Sequence, residues 1–318
     1  MPTSASQYQY VEDVENLEDY RLGGYYPVQI GDRLHTRYRI VHKLGHGTYS
    51  TAWLALDEQT STYVAIKVGA ADADKHEADI LTQISTGTAA APSNSEITAV
   101  ASTVPLALDR FTIDGPNGTH PCLVAAPARC SLRDAKEASD WRLFQLDVAQ
   151  SLAAQLAIAV SLVHSQSYAH SDLHLGNCML QLPPCSLNNI SVNQLYAKFG
   201  APEIESVVAV QNGDDGEPTS RAPGVPSYVV KPLWLGLHSN ERDIWSWDRR
   251  FDEWVNGLRP ACGTDLVKDD EKAVLLDLLR WMLAWKPSER PSVKDVLDSA
   301  WMKQWALPAY AEGRKLGA

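Results

Sequence analysis

The sequence of 318 residues has no C-x-x-C pair, and its five cysteines, Cys122, Cys130, Cys178, Cys185 and Cys262, are odd in number. That pattern indicates neither a zinc site nor a disulfide framework, and a reducing compartment is the simplest home. No stretch reaches the roughly 20 uninterrupted apolar residues that a membrane span needs. The N-terminus, with Ser4, Gln7, Glu12, Asp13, Glu15, Glu18 and Asp19, is neither a basic nor an apolar leader. The expectation is a soluble protein of the cytoplasm or nucleus, with no membrane partner. Basic charge is also scarce: 28 Lys and Arg stand against 39 Asp and Glu, for a net charge of -11. This argues against a direct nucleic-acid groove and suits a basic protein or peptide partner. No internal repeat is visible. What is present is apolar: 45% of residues are hydrophobic and ten are tryptophan, enough for one large domain or two lobes with a real core.

The most informative stretch runs from Ser167 to Leu180. His170, Asp172 and Asn177 fall in the pattern H-x-D-x-x-x-x-N. In a phosphoryl-transfer loop of this spacing the aspartate accepts the proton of an attacking hydroxyl and the asparagine holds a metal ion. Both must converge from one short loop, because such transfer is catalysed by positioning and charge neutralisation. A plain surface loop is the alternative. Against it stands the preceding segment, Leu146 to Val163, where Val148, Leu152, Leu156, Val160 and Val163 form an apolar stripe expected to be the core face of a helix.

Further upstream, Gly45-His46-Gly47-Thr48-Tyr49-Ser50-Thr51-Ala52 reads G-x-G-x-x-S-x-A. Small residues there let backbone N–H groups approach phosphates, and the flanking alternation suits two strands. By itself this is no more than a hairpin. The next strand, Tyr63-Val64-Ala65-Ile66-Lys67-Val68, carries a lysine 22 residues after Gly45, as in a V-A-I-K strand whose lysine pairs nucleotide phosphates. A solvent-facing lysine is the competing reading. Glu77, in a following helix-like stretch, is the candidate carboxylate partner of Lys67, or else one more exposed helix charge.

The remainder supplies boundaries. Gly115-Pro116-Asn117-Gly118 is a tight turn between strands at Leu106 to Phe111 and Cys122 to Ala126. Adenine is expected between Ala65, Ala126 and Met179. Residues 181–240 are rich in Pro, Asn, Ser and Gly and read as an irregular insertion with one short helix near Val192 to Phe199. Leu275, Leu278, Leu279 and Met282 make another helical stripe, and Ser292 with Asp295 opens a last helix through about Trp301.

Taken together, the glycine loop, Val64 to Lys67, Glu77, the Asp172 loop and Arg290-Pro291-Ser292 resemble a eukaryotic protein kinase. Gly23-Gly24-Tyr25-Tyr26-Pro27-Val28, Lys43-Leu44-Gly45, Ser50 to Leu54 and Trp301 to Trp305 are similar to SR-protein kinases, the fungal branch in particular. The resemblance covers most of residues 15–240 and 248–308. It implies an α+β, two-lobed kinase-like fold: a disordered acidic N-terminus over 1–20, a β-rich N-lobe over 21–126, a truncated, mainly helical C-lobe over 127–308, and a tail over 309–318. It also implies a monomer that transfers phosphoryl groups from ATP, with Mg²⁺, to serines of basic Arg/Ser-rich proteins. In that reading Lys67, Glu77, Asp172 and His174 are catalytic. Gly45, Gly47, Ser50, Ala52, Ala65, Lys67, Ala126 and Met179 hold the nucleotide, and Asn177 holds the metal. Ser171 takes the place of the arginine that reads a phosphorylated activation loop, and His174 that of a lysine beside the γ-phosphate.

One part of the pattern is missing. No Asp-Phe-Gly occurs, and no Ala-Pro-Glu closes an activation segment. Lys198-Phe199-Gly200 and Ala201-Pro202-Glu203 imitate them but are adjacent, and Lys198 has the wrong charge for Mg²⁺. Asp214 or Asp215 before Gly216 is a poor replacement. The sequence near His238 to Ser246 joins family-like segments that normally flank the lost one, and Asp243-Ile244-Trp245 is at most a remnant. Losing the metal carboxylate costs on the order of 10² to 10⁴ in rate, and Arg290 is expected to lose its glutamate partner. Three readings follow: an impaired SR-type kinase, a pseudokinase scaffold, and a small-molecule phosphotransferase of the aminoglycoside- or choline-kinase kind.

Overall fold

The computed structural model describes residues 7–74, 76, 79–84, 104–139, 142–182, 187, 189–210, 221–233, 251–260 and 263–316. In chain order the strands are β1 (Arg33–Leu34), β2 (Tyr38–Gly47), β3 (Ser50–Asp57), β4 (Thr62–Gly69), β5 (Asp109–Gly115), β6 (Gly118–Ala125), β7 (Ala128–Ser131), β8 (Met179–Gln181), β9 (Ile204–Ser206) and β10 (Tyr228–Val230). The α-helices are α1 (Leu132–Glu137), α2 (Leu146–Ser165), α3 (Val192–Phe199), α4 (Asp269–Met282), α5 (Val293–Asp298) and α6 (Leu307–Leu316). The architecture is mixed α+β and divides into two compact units. One comprises Met1–Gln83, Pro105–Arg129 and Gln181–Trp234, the other Ile84–Val104, Cys130–Leu180 and Leu235–Ala318.

The first unit is built on a six-stranded antiparallel sheet in the order β1-β2-β3-β4-β6-β5. Period-two alternation sends Trp53, Ala55, Val64, Ile66, Val68, Cys122 and Val124 to one face, where Val28, Tyr38, Ile40 and Val230 complete the core. On the other face Val41, Leu54, Tyr63 and Leu195 of α3 form a separate cluster. The β3–β4 hairpin is locked by Asp57, whose carboxylate receives both nitrogens of the Arg37 fork at 2.8 Å, Thr60 Oγ1 at 2.6 Å and Gln59 N at 3.0 Å. The Arg37 hydrogen bonds, ahead of the opposing effect of burial, hold that carboxyl well below the usual carboxylate range.

Two sequence expectations change here. In place of a structureless acidic leader, residues 7–20 pack into the first unit: Tyr8, Leu17 and Tyr20 are buried with Tyr25, Val225 and Val229. Composition reported only that the segment is acidic, whereas its Glu15 is withdrawn from solvent against Lys43. The insertion, too, falls with the β-rich unit and not with the helical one. Its α3 spans the residues expected, opened by a capping box between Ser191 and Gln194, and β9 pairs β10.

In the second unit α2 packs against α5, α6 and the turn Met302–Ala306, with Ala154, Ala157, Leu278, Val296, Trp301, Met302 and Ala306 in its core. The buried positions of α2 are Gln150, Ala154, Ala157 and Leu162, while Val148 of the expected stripe is exposed. The reason is size: alanines let a neighbouring helix approach, so the tight contact forms on the small-residue face. Gln150 Nε2 donates to Glu271 Oε1 of α4 at 2.6 Å, and Trp301 Nε1 donates to the same oxygen at 3.2 Å, all three buried. By length and composition α2 could cross a membrane, and one face of it packs against α5 and α6. Ser292 and Asp295 form the expected capping box, yet the helical path continues through α6, so the tail from 309 is helical as far as residue 316.

Candidate functional site

The hairpin expected to cradle phosphates is formed by β2 and β3, with Thr48 and Tyr49 as its turn. Register shifts between Ile40 and His42 and between Lys43 and Gly45 bend the strand just before the glycines. An added Cβ at Gly45 or Gly47 would meet no atom within 4 Å. The protein's own packing therefore does not demand glycine at either position, and the space above the backbone is open to an incoming group.

Strand register then assembles a face. Ala52 pairs both Gly45 and Lys67, Ala65 pairs Ala125, and Lys67 pairs Leu123. Directly paired residues point to the same side of a sheet, so Gly45, Ala52, Ala65, Lys67, Leu123 and Ala125 share one side. Ala52, Ala65, Lys67, Leu123 and Ala125 are half-buried, against 0–3% exposure for Trp53, Ile66, Val68, Cys122 and Val124 on the other side. Further along the same side α3 packs on Leu54 and Tyr63, and beside it the small side chains suit a flat ligand and the Lys67 ammonium an anionic end. Ser50 begins β3 beside the turn. Ala126, the residue expected at the adenine edge, is exposed and lies one position past β6; the partner of Ala65 is Ala125. Leu123 and Ala125 were missed because only register, which sequence does not display, identifies them.

The second group of residues sits on the loop between α2 and β8. Asn177 Nδ2 donates to Asp172 Oδ2 at 2.9 Å and to Asp172 O at 3.0 Å. With its nitrogen so committed, Asn177 offers a cation its Oδ1. His174 Nδ1 accepts the Gly176 N–H at 3.0 Å, which places the ring proton on Nε2, 3.8 Å from Asp172 Oδ1. Arg133 of α1 approaches the same Nδ1 at 3.5 Å. Gly176 leaves room for the folded-back ring, since a Cβ there would lie 2.9 Å from His174 Cε1 and push the ring aside. Ser171 sits at φ 62°, a left-handed conformation that costs a serine about 1 kcal/mol or more. The neighbouring Asp172 carboxylate has 76% side-chain exposure. Leu173, Leu175 and Met179 around it are also exposed.

Glu77 lies outside the described residues, as do Asp214, Asp215 and the segment from Asp243 to Trp245. Lys198-Phe199-Gly200 is the end of α3: Lys198 lies over the Phe199 ring, and Gly200, at φ 97°, caps the helix. Glu203, of the Ala-Pro-Glu imitation, pairs Lys231 at 2.8 Å. Arg290 is exposed and donates Nε to Ala284 O at 2.8 Å. Among the described residues no group of three or more His, Cys, Asp or Glu side chains could hold a metal ion. The Cys122 thiol is pushed up to about 12 by burial, so it is no nucleophile.

No family profile matches the chain. Among curated proteins it is 31% identical over 172 residues to the serine/threonine-protein kinase spk-1 of Caenorhabditis briggsae, covering 54% of this chain and 15% of that protein. It is 33% identical over 183 residues to the serine/threonine-protein kinase SRPK of Physarum polycephalum, covering 55% of this chain and 41% of that one. The chain thus spans less than half the length of either relative. A serine/threonine protein kinase of Aspergillus fumigatus is 26% identical over 364 aligned residues, covering 91% of this chain and 90% of its own length. The chain is a homologue of serine/threonine protein kinases, proteins named SR-protein kinases among them.

Proposed function

We propose that this chain is, by descent, an ATP-dependent serine/threonine kinase of the SR-protein-kinase type, acting as a monomer in the cytoplasm or nucleus on serines of basic Arg/Ser-rich proteins. The observation that carries the reading is the Asp172 loop, in which an exposed carboxylate is oriented by Asn177 Nδ2 at 2.9 Å. In transfer, Asp172 takes the proton of the serine hydroxyl as that oxygen bonds to the γ-phosphorus and the bond to ADP breaks. The open hairpin and Lys67 suit the phosphates, and the net charge of -11 suits a basic substrate.

For the metal the fit is incomplete. A divalent cation would neutralise charge on the phosphates, and Asn177 Oδ1 could contribute one ligand. The described residues supply no full set of ligands. With no Asp-Phe-Gly in the sequence to complete the set, transfer by this chain is expected to be slow. A second reading, a pseudokinase that binds partners, is favoured by the exposure of Leu173, Leu175 and Met179 around the loop.

The test is transfer of labelled phosphate from ATP to an Arg/Ser peptide, alongside titration of a fluorescent ATP analogue. The expected result is slow transfer that Lys67→Ala or Asp172→Ala abolishes without unfolding the protein, since neither residue fills the core. Analogue binding without transfer would select the pseudokinase. Loss of both, or near-normal activity in either variant, would overturn the assignment.

A further inference from the structure

Two residues of the segment 15–25 reach the glycine hairpin, Glu15 at Lys43 of β2 and Tyr25 at the turn. The Tyr25 hydroxyl donates toward Gly47 O at 2.8 Å and Thr48 O at 3.1 Å. Ala70 N donates to Tyr49 O at 2.8 Å. Three successive carbonyls of the turn are thus held toward the body of the first unit. The peptide units there are trans, and in a trans peptide the C=O of one residue and the N–H of the next point in opposite directions. Holding the Gly47 and Thr48 carbonyls inward therefore turns the Thr48 and Tyr49 N–H groups outward, as an anion-binding turn requires.

Tyr25 is well placed to impose this. It is 4% exposed, packs edge-on against Tyr20 with ring centroids 5.6 Å apart, and its backbone is fixed at both ends. Tyr25 N donates to Asp19 O at 2.9 Å, and Tyr25 O accepts Asn117 Nδ2 at 2.6 Å. The preceding Gly24 is obligatory, since a Cβ there would fall 1.8 Å from Asp19 O. Tyr20 in turn donates to Glu15, which pairs with Lys43 on β2, two residues before Gly45. The turn is otherwise open to solvent: His46, Gly47, Thr48 and Tyr49 are all exposed, although His46 also bonds the Asp13 backbone.

We infer that Tyr25 is a positioning residue for the glycine hairpin: its hydroxyl sets the peptide planes of Gly47 and Thr48 so that the outward N–H groups receive the phosphates of a nucleotide. The inference rests on the nucleotide reading above, and its test separates the two. Tyr25→Phe keeps the ring and removes the hydroxyl. Amide hydrogen exchange, followed by mass spectrometry on nucleotide-free protein, is expected to speed up about fivefold to tenfold in the peptide spanning residues 44–52 and little elsewhere. The fluorescent ATP analogue is expected to bind about fivefold to tenfold more weakly. Tyr20→Phe serves as the comparison, because it removes a buried hydroxyl from the same cluster without touching the turn. Unchanged exchange at 44–52 in Tyr25→Phe, or an increase spread along the chain as in Tyr20→Phe, overturns the inference. Selective loosening of the turn with undiminished analogue affinity overturns its phosphate-positioning half. If the unmodified protein binds no analogue, the nucleotide reading fails and with it that half, while the exchange result still decides whether Tyr25 holds the turn.

Discussion

The Lys43 ammonium and the Glu15 carboxylate form an ion pair in which neither side chain is more than 1% exposed. Burial, outweighing the attraction of Glu15, lowers the Lys43 pKa, so the pair is held in place against a real desolvation cost. The Trp53 ring lies 5.5 Å from the same ammonium, and the Tyr20 hydroxyl occupies the other Glu15 oxygen.

Breaking one side of this cluster is expected to be severe. Glu15→Ala strands a buried ammonium and should lower unfolding free energy by about 3–5 kcal/mol, read as a fall in the urea midpoint. The triple variant Glu15→Leu/Lys43→Met/Tyr20→Phe removes every polar member together and should recover most of that loss. A single variant within about 0.5 kcal/mol of the parent would show that the pair is not buried in solution.

How far the sequence could be read follows from what each signal measures. The β2–β3 hairpin and the Lys67 strand were legible because alternation with period two is local, and α3 was legible because its capping residues are local too. The face of α2 was misread because periodicity weighs apolarity and not size, and Ala154 and Ala157 outcompeted the larger residues. Residues 7–20 were misread because the partner of Glu15 lies 28 residues away, where composition carries no trace of it. In the candidate loop, His170, Asp172 and Asn177 were legible from spacing, and the Asp172 and Asn177 side chains do meet, whereas His174 followed only from the resemblance. Ala125 and Leu123 required register, and Tyr25 required a contact across 22 residues.

The open space above the hairpin gives a prediction with two opposed readouts. Gly47→Ala adds a Cβ that meets nothing, and glycine in a strand costs about 0.5–1 kcal/mol relative to alanine. Thermal stability should hold or rise slightly. Affinity for the ATP analogue should nevertheless fall about tenfold, as the Cβ blocks close approach of phosphate to backbone N–H groups. Gly24→Ala is the counter-case: its Cβ would collide with Asp19 O, and that variant should lose stability outright. Undiminished analogue binding by Gly47→Ala would remove the hairpin from the nucleotide site.

Acid should act through two histidines of the first unit. His42 Nδ1 contacts Lys43 O at 3.0 Å and His120 Nδ1 contacts Gly69 O at 3.0 Å, so each ring carries its proton on Nδ1. Each Nε2 is buried and has no hydrogen-bond partner among the described residues. Burial, before any other cause, lowers both pKa values below the ordinary one, partly opposed by the carbonyl contacts and, at His120, by Asp114. Protonation would place an unpaired N–H⁺ in the interior. The unfolded chain therefore binds more protons than the folded one below pH ~6.5. Stability from these groups is constant above that pH and falls as pH drops toward the folded values, by up to about 1.4 kcal/mol per pH unit for each histidine. Urea unfolding at pH 8, 6.5 and 5.5 should show a flat upper limb and a declining lower one, and His120→Phe should make the decline shallower. A lower limb as steep in His120→Phe as in the parent would mean that His120 takes up its proton without opposing the fold.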